Sequence, residues 1–198
     1  TDFIFDSAFS PAAEHALLTG DASLARFMAD ELIRLNVDAR RLVHASPAQE
    51  GINYSLPYLS YLASHGSGDK AAAFRQQIQS AMQAAAGGNA QVKDGYLYTT
   101  GAGLASLALK TGSADASQSQ LKEIIKGHSL LIFFKAMQPG VVMLSGQDLV
   151  GAMPLASPPN GDPASSCRGS YALTSSGSGL VVTNMGMPKA PQLYAAPD

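Results

Sequence analysis

Three short apolar segments, separated by helix-like sequence, constrain the fold of this chain more than any other feature. They are "FIFD" at residues 3–6, "RLVHA" at residues 41–45 and "GVVML" at residues 140–144. A long stretch of helical character at residues 117–137 leads into the third segment, and a Pro-Gly pair breaks that helix. Strands that alternate with helices favour a parallel sheet with right-handed crossovers. The sequence therefore predicts an α/β fold with polar loops gathered at the carboxyl ends of its strands.

The number of strands limits the choice of architecture. A doubly wound open sheet normally needs about five strands, and a closed barrel needs about eight. The sequence contains the three segments above and one weaker candidate. By itself the chain is therefore expected to form only part of a sheet.

Composition excludes several classes of function. The 198 residues are 46% hydrophobic and 14% charged, which is enough for a packed core. The formal net charge is -2 without a Lys or Arg cluster, so neither nucleic acid nor an anionic membrane is an expected partner. The longest apolar run, residues 130–134, is too short to cross a bilayer.

Compartment and cofactor are indicated by what the sequence lacks. Cys167 is the only cysteine, so the chain cannot form an intrachain disulfide or a multi-thiolate metal site. The first residues show no signal peptide, and a cytoplasmic location is expected. Because the first residue is not Met, the chain is interpreted as starting inside a longer product. None of the four histidines has a second ligand at metal-binding spacing, and no dinucleotide or P-loop motif is present, so no cofactor is expected.

The helices can be placed from their caps and periodicity. A first helix is expected to start at Ser10 and Pro11 and to end at Gly20. Asp21 is expected to cap a second helix, and Asp69 a third, peripheral one. The predicted buried stripe of the second helix is Leu24, Phe27, Met28, Leu32 and Leu35, and that of the third is Phe74, Ile78 and Met82.

The last part of the chain is expected to be irregular. Beyond Leu155 the sequence is rich in Pro, Gly and Ser, and "TSSGSG" at residues 174–179 is interpreted as a flexible linker. The prediction for residues 156–198 is an extension that packs on the preceding domain.

Five blocks, taken in order, carry a family resemblance. They read "FDSAFSPAAEHALLTGD", "LVHA", "LLIFFKAMQPGVVMLSGQDLVGAMPL", "RGSYAL" and "GMPKAPQLY", and they extend from about Phe3 to Tyr194. In this order and spacing they resemble the last part of a trehalose synthase and maltose glucosyltransferase-like branch of glycoside hydrolase family 13, the α-amylase family.

The resemblance implies a fold and its boundaries. The family has a (β/α)8 barrel, and this chain resembles only the last three β/α units. Residues 3–6, 41–45 and 140–144 would then be the sixth, seventh and eighth barrel strands. On that basis residues 1–155 are the C-terminal portion of the barrel, and residues 156–198 are the extension.

The resemblance also implies a chemistry that this chain covers only in part. Retaining glycosidases place a carboxylate nucleophile and a carboxylic acid about 5 Å apart, and in this family both come from strands four and five, which the chain does not resemble. A third family carboxylate lies in an Asn-His-Asp motif after strand seven. Ala48, Gln49 and Glu50 stand at that motif here. Glu50 therefore takes the position of the transition-state stabiliser, and Gln49 keeps a hydrogen-bonding side chain for substrate but cannot titrate.

Three further residues are candidates for substrate binding, each with a structural alternative. Asp148 follows the eighth strand and would accept a sugar hydroxyl or anchor the loop, or else cap the turn or a following helix. His44 leads into the loop where the family binds sugar, although core packing is the ordinary role of such a histidine. Arg168, in a fragment resembling the family's "NRGAYDL", would fix its loop or hold a substrate hydroxyl. Tyr54, Tyr58 and Tyr61 have helical spacing, which suits a core stripe or stacking on sugar rings.

Three functions remain open from the sequence. The first is part of a family 13 enzyme that transfers glucosyl units or isomerises maltose- and trehalose-type α-glucosides, with a further polypeptide segment completing the barrel. The second is a pseudoenzyme that binds an α-linked glucose disaccharide or oligosaccharide, or acts as a scaffold. The third is a free-standing α/β domain that binds a small ligand, which requires the sheet edges to be covered within this chain.

Overall fold

The computed structural model describes most of the first half and the middle of the chain. The described residues are 2–47, 52–53, 76, 80, 90–94, 96–111, 116–154, 161–162, 165, 167, 171–176 and 179–184. The helices are α1 (Phe9–Thr19), α2 (Ser23–Arg34), α3 (Gly101–Ala108), α4 (Gln118–Ala136) and the single turn α5 (Gly146–Leu149). The strands are β1 (Ile4–Phe5), β2 (Leu42–Ala45), β3 (Ile52–Asn53), β4 (Gln91–Lys93), β5 (Tyr96–Tyr98), β6 (Val141–Met143), β7 (Tyr171–Ser176) and β8 (Gly179–Asn184).

The three segments that the sequence predicts as strands form one parallel sheet. Its order is β1-β2-β6, so the first and last strands in sequence flank the middle one. Phe5 pairs with Val43, and Val43 pairs with Val141. The predicted strands and their parallel pairing are confirmed, and their membership of a (β/α)8 barrel stays a prediction.

The two faces of this sheet differ in burial. Leu42 and His44 of β2 are buried on one face, on which Ile4 of the edge strand β1 is 47% exposed. Across the opposite face, Phe5 is 46% exposed and Val141 is 43% exposed, with Val43 half-buried between them. Parallel sheets are ordinarily covered on both faces. The face that carries this apolar row is not covered by a second layer of structure in the described part of the chain.

Helix α1 begins differently from the prediction. Its first amides donate to the side chain of Asp6, with Phe9 N at 2.8 Å from Oδ1 and Ser10 N at 2.9 Å from Oδ2. The expectation that Ser10 caps the helix is wrong, because Ser10 already lies in the first turn and its hydroxyl also donates to Asp6. The predicted end is confirmed: Gly20 adopts φ +75°, a left-handed conformation that favours glycine.

Helix α2 has Ala22 at its N-cap and not the predicted Asp21. Asp21 still accepts the amide of Ser23, the first helical residue, at 2.8 Å. Leu24 and Met28 are buried, as the periodicity predicts. Leu35 is 60% exposed, so its predicted burial is wrong, since it follows the last residue of the helix.

The main core lies among the helices and a small antiparallel sheet of order β3-β5-β4. Helices α3 and α4 approach closely at Gly127, where an added Cβ would lie 3.0 Å from the Cβ of Ala105. The predicted long helix is confirmed as α4, which begins with a capping box of Ser117 and Gln120. The core combines residues from all four longer helices with the small sheet: Ala12, Leu24, Met28, Ile52, Ala90, Leu97, Leu104 and Leu131.

The C-terminal segment contains regular structure that was not predicted. β7 and β8 pair antiparallel, and the closing pair is Ser176 with Gly179. The expectations of a flexible linker at residues 174–179 and of an irregular tail are therefore wrong for residues 171–176 and 179–184. The physical signal is a Gly-Ser pair between two runs containing Leu, Val and Thr, which is typical of a tight hairpin.

The predicted third helix is described at only two residues. Gln76 and Ser80 are helical, whereas Phe74, Ile78 and Met82 lie outside the described residues.

Within the described ranges, no helix is both long enough and apolar enough to cross a membrane.

Candidate functional site

Polar side chains follow each strand of the parallel sheet. Asp6 comes directly after β1, Ser46 after β2, and Ser145 shortly after β6. Ser46 Oγ accepts the backbone amide of Ser145 at 3.0 Å, which joins two of these strand ends. The carboxyl ends of parallel strands meet at one edge, so the sheet collects these groups beside the start of α1.

A buried ion pair connects the first two strands. His44 Nδ1 lies 2.9 Å from Asp6 Oδ2, and His44 Nε2 lies 3.0 Å from the carbonyl oxygen of Pro139. Both ring nitrogens face acceptor oxygens, an arrangement that favours the doubly protonated imidazolium. The hydrogen bond to Asp6 raises the pKa of His44 above its ordinary value, although burial opposes this shift. Burial acts to raise the pKa of Asp6, but hydrogen bonds from His44, Ser10 and the Phe9 amide together lower it.

This ion pair predicts a pH dependence of stability. Because the pKa of His44 is raised in the folded protein, its contribution is full below its ordinary pKa of 6.5 and is lost as pH rises through the folded pKa. Replacing His44 by Gln, whose amide still donates to Asp6, should abolish this loss. We expect the free energy of unfolding from urea titrations to fall faster above pH 6.5 in the wild type than in H44Q, by up to about 1.4 kcal/mol per pH unit. Parallel curves above pH 6.5 would show that His44 is not cationic.

A second buried ion pair joins α1, α4 and β2. Lys135 Nζ lies 2.6 Å from Glu14 Oε1 and donates to the Ala45 carbonyl oxygen, also at 2.6 Å. Lys135 is only 2% exposed. Burial raises the pKa of Glu14 to about 7, although the nearby Lys135 ammonium acts to lower it. Lys135 therefore fixes Ala45, the last residue of β2.

Asp148 stabilises a different group of backbone atoms. Its Oδ1 accepts the amide of Gly101 at 2.6 Å, and its Oδ2 accepts the hydroxyl of Ser145 at 3.1 Å. The side chain thus supports the first turn of α3 and the turn that begins α5. His128 lies so close to Gly101 that an added Cβ would be 2.8 Å from its Cδ2 atom. These contacts match the loop-anchoring interpretation of Asp148, and its sugar-binding role stays a prediction.

A cavity of about 180 Å³ lies beside the strand ends. Asn53 Nδ2 donates to the Tyr96 hydroxyl at 3.1 Å on one of its walls. The Tyr96 ring stacks on that of Tyr98, with centroids 5.7 Å apart. The polar lining comprises Asp6, Ser7, Ser10, Glu14, Ser46, Asn53 and Tyr96.

The structure places two of the predicted site residues and not the others. His44 and Asp148 are both buried, in two separate hydrogen-bonded groups. Gln49, Glu50 and Arg168 lie outside the described residues. The same is true of the tyrosines whose spacing fits a core stripe or sugar stacking: Tyr54, Tyr58 and Tyr61.

Sequence reasoning missed the residues that line the cavity and hold its walls. Lys135 and Glu14 each interrupt an otherwise apolar stretch, which is a detectable signal for a buried charge that needs a partner. Asn53 and Tyr96 carry no such signal, because only the folded chain brings them together.

Comparison with known proteins gave no match among family models, curated proteins or solved structures. In the described part of the chain, no three His, Cys, Asp or Glu side chains are grouped so as to hold a metal ion.

Proposed function

We propose that this chain is the C-terminal portion of a (β/α)8 barrel in a family 13 α-glucan-active protein that resembles trehalose synthase. Its activity would be glucosyl transfer or isomerisation on maltose- and trehalose-type α-glucosides. The observation that carries the proposal is the parallel sheet of order β1-β2-β6, whose polar residues meet beside a cavity at the carboxyl edge. In barrel enzymes this edge is where substrates bind.

The described residues suit a supporting part in such a site. Both carboxylates that line the cavity are already engaged, Asp6 by His44 and the start of α1, and Glu14 by Lys135. A retaining glycosidase needs a nucleophile and an acid about 5 Å apart across the scissile bond. These two groups would come from strands four and five on another segment, with Glu50 as the transition-state stabiliser and Gln49, His44, Asp148 and Arg168 supporting the substrate.

A non-catalytic protein is the second candidate. The family's Asn-His-Asp motif is replaced by Ala48, Gln49 and Glu50. Glu is one methylene longer than Asp, and a displacement of about 1 Å at a catalytic group can cost on the order of 100-fold in rate. The protein would then be a pseudoenzyme that binds carbohydrate or acts as a scaffold in an assembly.

The proposed partner is a polypeptide segment that supplies the remaining barrel strands. The exposed apolar row of Phe5, Val43 and Val141 supports this, because inner-facing residues of a barrel are buried only when the barrel closes. β1 and β6, the outer strands of the described parallel sheet, each have one edge to which a further strand could pair. A cytoplasmic location belongs to the same proposal, since a single cysteine gives no disulfide to protect.

Native mass spectrometry of the purified protein, with peptide mapping of every chain, tests this proposal. We expect the 20.5 kDa chain to be accompanied by, or continuous with, a polypeptide large enough to complete the barrel. Turnover of maltose, with Asp and Glu at the ends of strands four and five, would identify the enzyme, and their absence would identify the pseudoenzyme. A folded monomer of this chain alone would contradict the barrel proposal.

A further inference from the structure

We infer that the cavity beside α1 is a binding site for a neutral, hydroxyl-rich molecule of about the size of one sugar ring. The inference rests on the proposed function for its substrate class and adds where the ligand binds and which residues select it. The walls of the cavity come from the first turns of α1, the end of β2, and the small antiparallel sheet.

Charge balance selects a neutral ligand. Asp6 and Glu14 are the carboxylates that line the cavity. Asp6 lies 2.9 Å from the ring of His44, and Glu14 lies 2.6 Å from the Lys135 ammonium. Each carboxyl group therefore already has a buried basic partner. A cationic ligand would compete with these internal partners, and an anionic ligand would meet carboxylate oxygens at close range.

The lining also offers the mixture of groups that hydroxyls require. Sugar hydroxyls both donate and accept, so they bind best where carboxylate oxygens, hydroxyls and amides lie close together. The cavity supplies the Glu14 carboxyl, the hydroxyls of Ser7, Ser10 and Ser46, and the Asn53–Tyr96 pair, while the Asp6 oxygens already accept from His44, Ser10 and the first amides of α1.

Size and rigidity limit the ligand to a small one. A volume of about 180 Å³ is below that of typical pockets for drug-sized molecules, which begin at about 300 Å³. The walls are held by buried ion pairs, and the ring of Tyr96, which lines the cavity, stacks on that of Tyr98, which does not line it. A site held in this way is pre-organised, so binding loses little free energy to ordering the protein.

The test compares three probes of the same shape and different charge: glucose, glucosamine and glucuronate. Binding to the protein as purified, together with any chain that accompanies it, is measured by saturation-transfer NMR and calorimetry. We expect glucose to bind at least tenfold more tightly than either charged probe at pH 7. Tyr96→Phe removes one neutral hydrogen-bonding group and should weaken glucose binding about fivefold, and Asn53→Ala should weaken it about tenfold.

Tyr98→Phe is the matched control, because Tyr98 lies on the same strand, stacks on Tyr96 and is not part of the cavity wall. It should leave glucose binding unchanged, and circular dichroism checks that every variant is folded. Preferential binding of a charged probe overturns the inference. Glucose binding that Y96F and N53A leave unaltered also overturns the inference, but that result leaves the proposed function intact. Failure of all three probes to bind also overturns the inference, while the mass of the assembly and turnover of maltose decide the proposed function separately.

Discussion

Replacing Lys135 by methionine should lower the free energy of unfolding by about 3–5 kcal/mol at pH 8, the usual result of removing one partner from a buried ion pair. The substitution keeps most of the volume of the side chain and removes its charge. Glu14 would remain buried without its counter-charge, and the Ala45 carbonyl would lose its donor. Urea titration followed by circular dichroism measures the change.

The same substitution should be milder in acid. The Lys135 ammonium lowers the pKa of Glu14, so its removal raises a pKa that already stands at about 7. In the variant Glu14 takes up a proton at a higher pH, which relieves the unpaired charge. The difference between the wild type and K135M should therefore shrink from pH 8 to pH 5.

Two comparisons separate the ion pair from other effects of losing a lysine. Lys126 on the same helix pairs with Glu123 at an exposed position, so Lys126→Met should change stability by less than about 0.5 kcal/mol. Adding Glu14→Leu to K135M removes the uncompensated charge and should recover much of the loss. A cost for K135M as small as that for K126M would show that the buried pair does not stabilise the fold.

Replacing Gly140 by alanine should cost on the order of 4 kcal/mol, from strain and overlap together. Gly140 adopts φ +128°, a conformation that side chains rarely tolerate. An added Cβ would overlap the backbone carbonyl of Leu42 and lie 3.0 Å from that of Ala39. Neither neighbour is a flexible side chain, so the start of β6 would have to move away from β2.

Gly20→Ala provides the control for backbone conformation alone. Gly20 also has a positive φ, of +75°, but an added Cβ would meet nothing within 4 Å. Its substitution should cost about 1 kcal/mol. Thermal unfolding of G140A and G20A by calorimetry gives both values, and equal losses would show that close packing against β2 contributes nothing.

Local sequence signals predict the helices and strands, whereas the positions of their polar residues depend on contacts between distant parts of the chain. The strands at residues 3–6, 41–45 and 140–144 are short apolar runs flanked by helix or turn signals, which a sequence displays directly. The start of α1 was misplaced because Ser10 and Pro11 resemble a helix start, while the acceptor for the first amides is the more distant Asp6. The sequence alone does not indicate that Asp6, four residues before Ser10, accepts these amides.

The candidate site was predictable only in part for a similar reason. His44 was singled out by its position at the end of a strand, and that position is confirmed. Its partners are Asp6 and Pro139, and the sequence pattern of β2 contains no information about them. Neither Lys135 nor Glu14 can be assigned from the sequence of its own helix, because their burial is explained only by the pair that they form between helices.

The Lys135 contact with Ala45 also bears on how the chain reaches its fold. These two residues are 90 positions apart in sequence, and His44 and Pro139 are 95 apart. Closing so long a loop loses conformational entropy before any of the contacts at its ends can form. β1 and β2 can associate early, but β2 keeps one unpaired edge until β6 arrives, and such edges favour aggregation. Synthesis order therefore matters for this chain, because the strand that completes the sheet is also the last of the three to be made.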